Sequence, residues 1–296
     1  MITYLQAIIL GLLQGASELF PISSLGHSVL FAWIFNWKSI LASQTSSESF
    51  FLSFLVVLHV ATAIALLIFY RKTWVRIING FFSSVKTRSI KTNDSRLAWL
   101  LIAATIPAGL TGLIFEHSLR TQFAKPLSAI VFLFINGFIL IAGDSYLKNH
   151  PKQRAEHNIN ATTADVSNNL TFKRAGLIGL AQVTALFAGI SRSGVTMVSG
   201  LLSGLNSEDS ARFSFLLATP IILGAGLYKL PDFFSNLDNG VRGQILAGGI
   251  AAGIAAYFTV RFLDKYFQNK SLRPFGIYCI VFALAMLGLG FIKGGF

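Results

Sequence analysis

The sequence predicts an all-α polytopic membrane protein, with about six transmembrane helices and two re-entrant helical hairpins arranged as an inverted repeat. Three observations lead to this fold class. The 296 residues are 53% hydrophobic and only 12% charged, about half the charged fraction of an ordinary soluble domain. Apolar runs long enough to cross a bilayer recur along the chain. Two polar, glycine-containing segments follow shorter apolar runs and are similar to each other.

The N-terminal apolar run is too short to cross a membrane. Residues 2–13 would rise about 18 Å as a helix, against a hydrocarbon core of about 30 Å. Pro21 and Gly26 follow and favour a break. Residues 2–35 are therefore predicted to enter the membrane and turn back.

The remaining elements follow from apolar length and from charge. Spans are predicted at about 50–70, 97–115, 127–147, 213–230, 243–262 and 275–292. The segment 71–96, predicted to be a loop, has seven Lys or Arg against one acid, and segment 148–174 has five against two. Such an excess marks the cytoplasmic side, so the net charge of +12 does not indicate a nucleic-acid partner.

One membrane domain, residues 1–296, accounts for the whole chain. The polar segment 148–174 is predicted to be a flexible linker between repeat halves at about 1–147 and 175–296. The single cysteine, Cys279, excludes a disulfide within the chain, and no removable signal peptide is recognisable.

The two polar segments align without a gap. Residues 11–28 over 179–196 give six identities in eighteen positions, among them Gly11 with Gly179, Gln14 with Gln182 and Ser23 with Ser191. Chance similarity is the alternative, because glycine and leucine are common in membrane proteins. Three predicted crossings separate the copies, so the second would enter from the opposite side, which predicts an inverted repeat with both breaks near the midplane.

The first copy carries the parts of a metal and phosphate site. Gln14 and Glu18, four residues apart, share one helix face and can offer oxygens to a divalent cation. Hydroxyls and free backbone N–H groups at a helix restart suit a phosphate. The residues there are Ser23, Ser24, Gly26 and His27.

The second copy adds a cation. Arg192 stands where the first copy has Ser24, and its planar fork matches phosphate oxygens. A purely structural Arg192–Glu18 ion pair is the alternative. Residues that would bind phosphate beside it are Ser191, Ser193, Gly194 and Thr196. Together the two copies hold the groups of metal-assisted phosphoryl chemistry.

These segments resemble the undecaprenyl-diphosphate phosphatases, also called bacitracin-resistance proteins. Q-G-A-S-E-L-F-P-I-S-S-L-G-H is similar to the first motif of that family and A-G-I-S-R-S-G-V-T to the second. Leu58-His59 with Thr62, and residues 211–217, extend the resemblance over most of the chain. Departures include Leu25 for a common threonine, Ala188 for the motif proline and Gln14 for a frequent glutamate.

The resemblance implies an enzyme that removes the terminal phosphate of a C55 polyprenyl diphosphate, recycles the lipid carrier of cell-wall synthesis and confers bacitracin resistance. It implies a bacterial inner-membrane location and an active site facing the periplasmic or outer side. Glu18 and Gln14 would hold Mg²⁺ or Ca²⁺, and Arg192 would bind the diphosphate. Ser24 and His27 are the candidate nucleophile and acid/base, and which of them attacks phosphorus stays open.

Two further alternatives remain at this stage. A transporter or lipid flippase would also have inverted repeats and buried charges, and a non-catalytic scaffold is disfavoured by the cost of burying so many polar groups.

His59, in an apolar helix, is more often a packed histidine than a catalytic one. The oligomeric state is open, a homodimer included.

Overall fold

A computed structural model describes residues 2–37, 50–123, 125–150, 163–235 and 241–294. These residues form α-helices and no β-strand. The helices are α1 Tyr4–Ser17, α2 Ser24–Ile34, α3 Phe50–Phe69, α4 Arg71–Thr87, α5 Asn93–Phe123, α6 Pro126–Lys148, α7 Thr163–Asn169, α8 Phe172–Val183, α9 Arg192–Leu202, α10 Ser207–Ser235, α11 Arg242–Asn269 and α12 Arg273–Ile292. A 3₁₀ turn, Thr184–Leu186, follows α8.

The predicted all-α membrane fold is confirmed. Five helices in the described ranges are long and apolar enough to cross a membrane, or six when α3 and α4 count as one bent span. The five are α5, α6, α10, α11 and α12. The short apolar helices α1 and α2 form the first predicted hairpin, and α8 with α9 forms the second.

The two hairpins share the register that the sequence alignment predicts. Ser23 caps α2 and accepts a hydrogen bond from Gly26 N, while Ser191 caps α9 and accepts one from Gly194 N. Ser23 aligns with Ser191 and Gly26 with Gly194 in the repeat. Each second helix therefore begins at the equivalent residue.

Each hairpin packs against the opposite half of the chain. Helix α1 lies along α11, the middle span of the second half, and α8 lies along α5, the middle span of the first. A Cβ on Gly11 would overlap the carbonyl oxygen of Gly248, and one on the equivalent Gly179 would overlap that of Ala104. Both positions require glycine because two backbones approach each other closely there. The equivalent contact therefore occurs in both repeat halves.

Two sequence predictions about the basic segments are wrong. Residues 71–87, predicted to be a loop, form helix α4, bent by 88° from α3. Their apolar residues recur at helical spacing, and the side of the helix that contains Ile77, Gly80 and Ser84 packs on α5. The predicted linker 148–174 is not flexible throughout, since Val166 and Leu170 are fully buried. Residues 151–162 of that segment lie outside the described ranges.

Candidate active site

The breaks of the two hairpins meet in the interior, and one asparagine from α6 joins them. Asn136 Nδ2 donates to the carbonyl oxygen of Pro21 at 3.0 Å, and Asn136 Oδ1 accepts from Ser191 N at 2.9 Å. A second link runs from Gly189 N to Ser23 Oγ at 3.1 Å. The starts of α2 and α9 are held side by side as a result.

The carboxylate of Glu18 lies at the centre of this junction, just beyond the end of α1. Its Oε2 accepts a hydrogen bond from Ser24 Oγ at 2.6 Å and from Gln14 Nε2 at 3.1 Å. His59 Nε2, from α3, lies 3.3 Å from the same oxygen. Because Glu18 is only 7% exposed, these donors replace the water that a buried charge has lost.

The guanidinium of Arg192 engages the other carboxylate oxygen. Its Nη2 and Nε lie 3.2 and 3.3 Å from Glu18 Oε1, and its Nη1 donates to the carbonyl oxygen of Ser214 at 3.3 Å. The Arg192–Glu18 ion pair, the alternative interpretation of Arg192 in the sequence, is therefore present. Thr196 Oγ1 lies 2.6 Å from Ser214 Oγ. Thr196 therefore contacts Ser214, whose carbonyl oxygen accepts from Arg192, and does not contact the carboxylate of Glu18.

These groups line a cavity of about 350 Å³. Glu18, Ser24, His59 and Arg192 form its polar wall. The rest of the lining is mainly apolar, and it includes Leu186, Ile221, Ile222 and Ala225. The first residues of α2 and α9, Ser24 and Arg192, both belong to the lining, so two helices begin at this cavity.

His27 does not reach this cavity. Its Nδ1 lies 2.8 Å from the carbonyl oxygen of Ser23, and its Nε2 lies 2.9 Å from the hydroxyl of Tyr278. The ring is stacked with Tyr278 and Phe282 and is 1% exposed. His27 therefore holds the break between α1 and α2 in place.

The backbone that His27 holds is strained. Ser23 has φ 70° and ψ 101°, a region that non-glycine residues rarely adopt. Hydrogen bonds to its hydroxyl and its carbonyl fix this conformation, which directs the neighbouring Ser24 at Glu18. Strain of this kind is concentrated at functional sites.

The other predicted phosphate-binding residues hold the hairpins together. Ser193 Oγ donates to the carbonyl oxygen of Phe20 at 3.3 Å and lies 3.0 Å from Ser191 Oγ. Gly26 is in close contact with Gly189, where a Cβ would lie 3.0 Å from two backbone atoms. A Cβ on Gly194 would lie 3.1 Å from Leu140. Of this set, only Ser23 and Ser191 line the cavity.

Two residues of the site were not predicted from the sequence. Asn136 was not singled out, and His59 was interpreted as a packed histidine. Each is a polar residue in the middle of a mainly apolar span, and such residues are expensive in a membrane. That cost is the signal that could have identified them.

The oxygen atoms of Glu18, Gln14 and Ser24 fit a divalent cation whose other ligands are not protein side chains. Gln14 Oε1 is buried without a hydrogen-bond partner, and rotation of that amide would direct an oxygen at the space beside Glu18. One carboxylate, one amide oxygen and the Ser24 hydroxyl are oxygen ligands of the kind that Mg²⁺ and Ca²⁺ prefer. The described residues contain no group of three or more His, Cys, Asp or Glu that could hold a metal, so phosphate oxygens and water would complete the coordination.

Both motifs lie within a match to a known protein family. Residues 7–285 match the family described as Bacitracin resistance protein BacA. The chain belongs to this family.

Individual BacA relatives are similar over nearly their whole length. The chain is 48% identical to an undecaprenyl-diphosphatase of Mycolicibacterium paratuberculosis, with 95% of each chain covered. It is 46% identical to undecaprenyl-diphosphatase 2 of Frankia alni, over 95% of this chain and 96% of that protein. Undecaprenyl-diphosphatase 2 of Chromobacterium violaceum is 43% identical, over 97% and 98%. The BacA match includes both hairpins and every helix that lines the cavity.

Proposed function

We propose that this protein hydrolyses undecaprenyl diphosphate to undecaprenyl phosphate and inorganic phosphate, and thereby recycles the lipid carrier of cell-wall synthesis. The observation that carries the proposal is the 2.6 Å hydrogen bond from Ser24 to Glu18, with Arg192 on the other carboxylate oxygen. A nucleophile, a proton acceptor and an anion-binding group thus share one cavity. The BacA membership and the names of the relatives support the same reaction.

Ser24 is the nucleophile in this mechanism. Its Oγ forms a bond to the terminal phosphorus while the anhydride P–O bond breaks and undecaprenyl phosphate leaves, and its proton passes to Glu18 Oε2. Water then attacks the phosphorus of the phosphoserine and the Oγ–P bond breaks. Inorganic phosphate departs with the protons of that water, and Glu18 returns its proton to Ser24 Oγ. Support for Ser24 over His27 comes from position, because Ser24 lines the cavity and His27 does not.

Charge on the phosphoryl group is balanced by groups that are already oriented. Arg192 would exchange one of its contacts with Glu18 for a phosphate oxygen, since a guanidinium has five N–H donors. The N-termini of α2 and α9 add N–H groups and positive dipole ends. Such preorganised donors stabilise charge that develops in a transition state.

A divalent cation is part of the proposal. Glu18 and Gln14 would hold it, and when bound it would neutralise the negative charge that develops on the diphosphate. Mg²⁺ typically uses one or two carboxylates together with phosphate oxygens, which fits a cation that arrives with the substrate. Phosphate release should then fall when a chelator is added and recover with Mg²⁺ or Ca²⁺.

The membrane setting follows from the same arrangement. The apolar part of the cavity, between α3 and α10, suits the first isoprene units, while the rest of the lipid lies among apolar helices. We place the enzyme in the bacterial inner membrane with the site open to the outer side, which is supported by the basic segments 71–96 and 148–174 on the opposite side. Bacitracin resistance is proposed on the basis of BacA membership.

Phosphate release from C55 diphosphate by the purified full-length protein tests the proposal. Ser24→Ala and Glu18→Ala should each reduce kcat by at least about 10²-fold, the range expected of general acid–base groups. Ser28→Ala is the matched control, because Ser28 lies one turn further along α2, is buried and lines no part of the cavity. It should keep close to the full rate.

Two outcomes would contradict different parts of the proposal. A protein that releases no phosphate under any metal condition would not be this phosphatase. Normal turnover by Ser24→Ala with loss in Glu18→Ala would exclude the serine as nucleophile and leave attack by water. A phosphate group on Ser24, detected by mass spectrometry after rapid acid quench, would support the covalent step directly.

A further inference from the structure

Helix α4 has an apolar surface that no part of the described protein covers. Val75, Ile78, Phe82 and Val85 are 58%, 46%, 64% and 51% exposed. Their spacing of three or four residues places them in one stripe along the helix. The stripe is about 15 Å long, given a rise of 1.5 Å per residue.

The opposite side of α4 is fixed firmly to the start of α5. Ile77, Gly80 and Ser84 are buried in this contact, and a Cβ on Gly80 would lie 2.7 Å from Ser95 N. Trp99 Nε1 donates to Ser84 Oγ at 2.9 Å. Because these contacts fix the rotation of α4 about its own axis, the apolar stripe has one defined direction, away from the protein.

A third side of α4 is basic. At 100° per residue, Lys86, Lys72 and Arg76 lie roughly 60–140° around the helix from the centre of the stripe. They are exposed, and α4 contains no acidic residue. Apolar, basic and protein-packed surfaces therefore divide the circumference of the helix.

The direction of the helix completes the argument. Helix α4 is bent by 88° from the apolar helix α3, so when α3 crosses the membrane α4 lies nearly in the membrane plane. An amphipathic helix in that plane buries its apolar stripe at the boundary between head groups and acyl chains. Its basic side is then at the depth of the lipid phosphates.

We propose that α4 is an interfacial helix that binds anionic phospholipid, with its apolar stripe among the acyl chains and Lys72, Arg76 and Lys86 at the head groups. Charge complementarity selects anionic over zwitterionic lipid, because basic residues near a membrane surface are attracted to negative head groups. The lipid surface is that of the leaflet where the basic segments lie. This proposal concerns a surface remote from Glu18 and is independent of the proposed catalytic function.

Spin labels on the full-length protein test the depth of α4. With Cys279 replaced by serine, one variant carries a nitroxide at Phe82→Cys on the stripe and another at Asn79→Cys on the polar side. In bilayers of phosphatidylglycerol, the label at 82 should be relaxed mainly by oxygen and the label at 79 mainly by a water-soluble nickel chelate. Equal access of the chelate to both labels would overturn the proposal.

A charge series tests the preference for anionic lipid. The chelate-to-oxygen accessibility ratio at position 82 should be several-fold lower in phosphatidylglycerol than in phosphatidylcholine. The triple variant Lys72→Gln, Arg76→Gln and Lys86→Gln should remove most of that difference. Retention of the full difference in this variant, or its absence in the parent protein, would refute anionic selection.

A matched triple variant controls for net charge. Lys125, Lys265 and Lys270 are exposed and lie outside α4, so their replacement by glutamine changes the total charge equally. This variant should keep the lipid-dependent difference at position 82. Equal loss in both triple variants would contradict a specific role for α4.

Discussion

His59 Nε2 lies 3.3 Å from Glu18 Oε2, the same oxygen that accepts the hydroxyl of Ser24. The other ring nitrogen of His59 lies 2.8 Å from the carbonyl oxygen of Leu55, one turn earlier on α3. The imidazole is thus fixed at both ends. A residue from the first span thereby orients the proton acceptor of the proposed reaction.

Replacing His59 should affect turnover more than substrate binding. His59→Leu removes the contact with Glu18 and should lower kcat by roughly 10–100-fold, since a hydrogen bond to a charged group contributes about 1.5–3 kcal/mol. His59→Gln, whose amide can donate to the same oxygen, should stay within about tenfold of the parent protein. Steady-state phosphate release at varied lipid diphosphate concentration separates kcat from KM. Equal kcat in the two variants would argue against orientation of Glu18 by this side chain.

Arg192→Lys should weaken the enzyme although it keeps the charge. A lysine cannot contact Glu18, Ser214 and a phosphate oxygen together, because it lacks the planar fork. We expect kcat/KM to fall by at least about tenfold, or about 1.4 kcal/mol. The matched control is Arg212→Lys, whose arginine pairs with Glu208 at 3.1 Å and lines no part of the cavity. A similar loss in both variants would contradict a specific role for the Arg192 fork.

Asn136→Leu should destabilise the folded protein. The substitution leaves Ser191 N and the carbonyl oxygen of Pro21 without the partner that Asn136 provides, and each unsatisfied buried group costs about 1–3 kcal/mol. A lower midpoint of thermal unfolding in detergent, together with lost phosphate release, is the expected result. Ser145→Ala, an exposed change on the same helix, should leave the midpoint unchanged. An unchanged midpoint in Asn136→Leu would show that the Gly189–Ser23 and Ser193–Phe20 hydrogen bonds hold the two breaks together without Asn136.

Two glycines on α8 should respond to alanine in opposite directions. A Cβ on Gly179 would overlap the backbone of Ala104 on α5, whereas a Cβ on Gly176 would have no atom within 4 Å. Gly179→Ala should therefore lower the unfolding midpoint, and Gly176→Ala should leave it unchanged or stabilise the helix by up to about 1 kcal/mol. Thermal unfolding of both variants in the same detergent checks this. If Gly179→Ala were harmless, the close approach of α8 to α5 would be wrong.

The sequence predicts which motif residues of the hairpins come together better than it predicts the residues that support them. Glu18, Ser24 and Arg192 could be found because each stands in a polar motif, and the repeat predicts that the motifs meet. His59 and Asn136 could not be assigned, since a polar residue in the middle of an apolar span does not show which neighbour it contacts. His27 stands in the same motif as Ser24 but faces Tyr278, a direction that depends on the strained backbone of Ser23 and on a helix 251 residues away.

Prediction of the fold from the sequence is also incomplete. Apolar length alone predicts the spans, but the loop predicted at 71–96 is a helix over 71–87. A high density of Lys and Arg is compatible with a helix as well as with a loop, and the apolar residues of this segment recur at helical spacing. The proposed cation, the orientation of the site and the oligomeric state stay predictions, since they depend on ligands, a bilayer and partner chains rather than on local sequence pattern.

The packing of α1 against α11 also constrains the order in which the protein can be completed. Helix α1 leaves the ribosome first, yet Gly11 and Gly15 are covered by backbone from residues 242–269. A nascent chain that stops before α11 already contains Glu18, Ser24 and Arg192, but α1, which carries Gln14, lacks its most extensive packing partner. Assembly of the proposed site is therefore completed late in biosynthesis, after nearly the whole polypeptide has been inserted, and a prematurely terminated product would carry Glu18, Ser24 and Arg192 without the packing of α1 on α11.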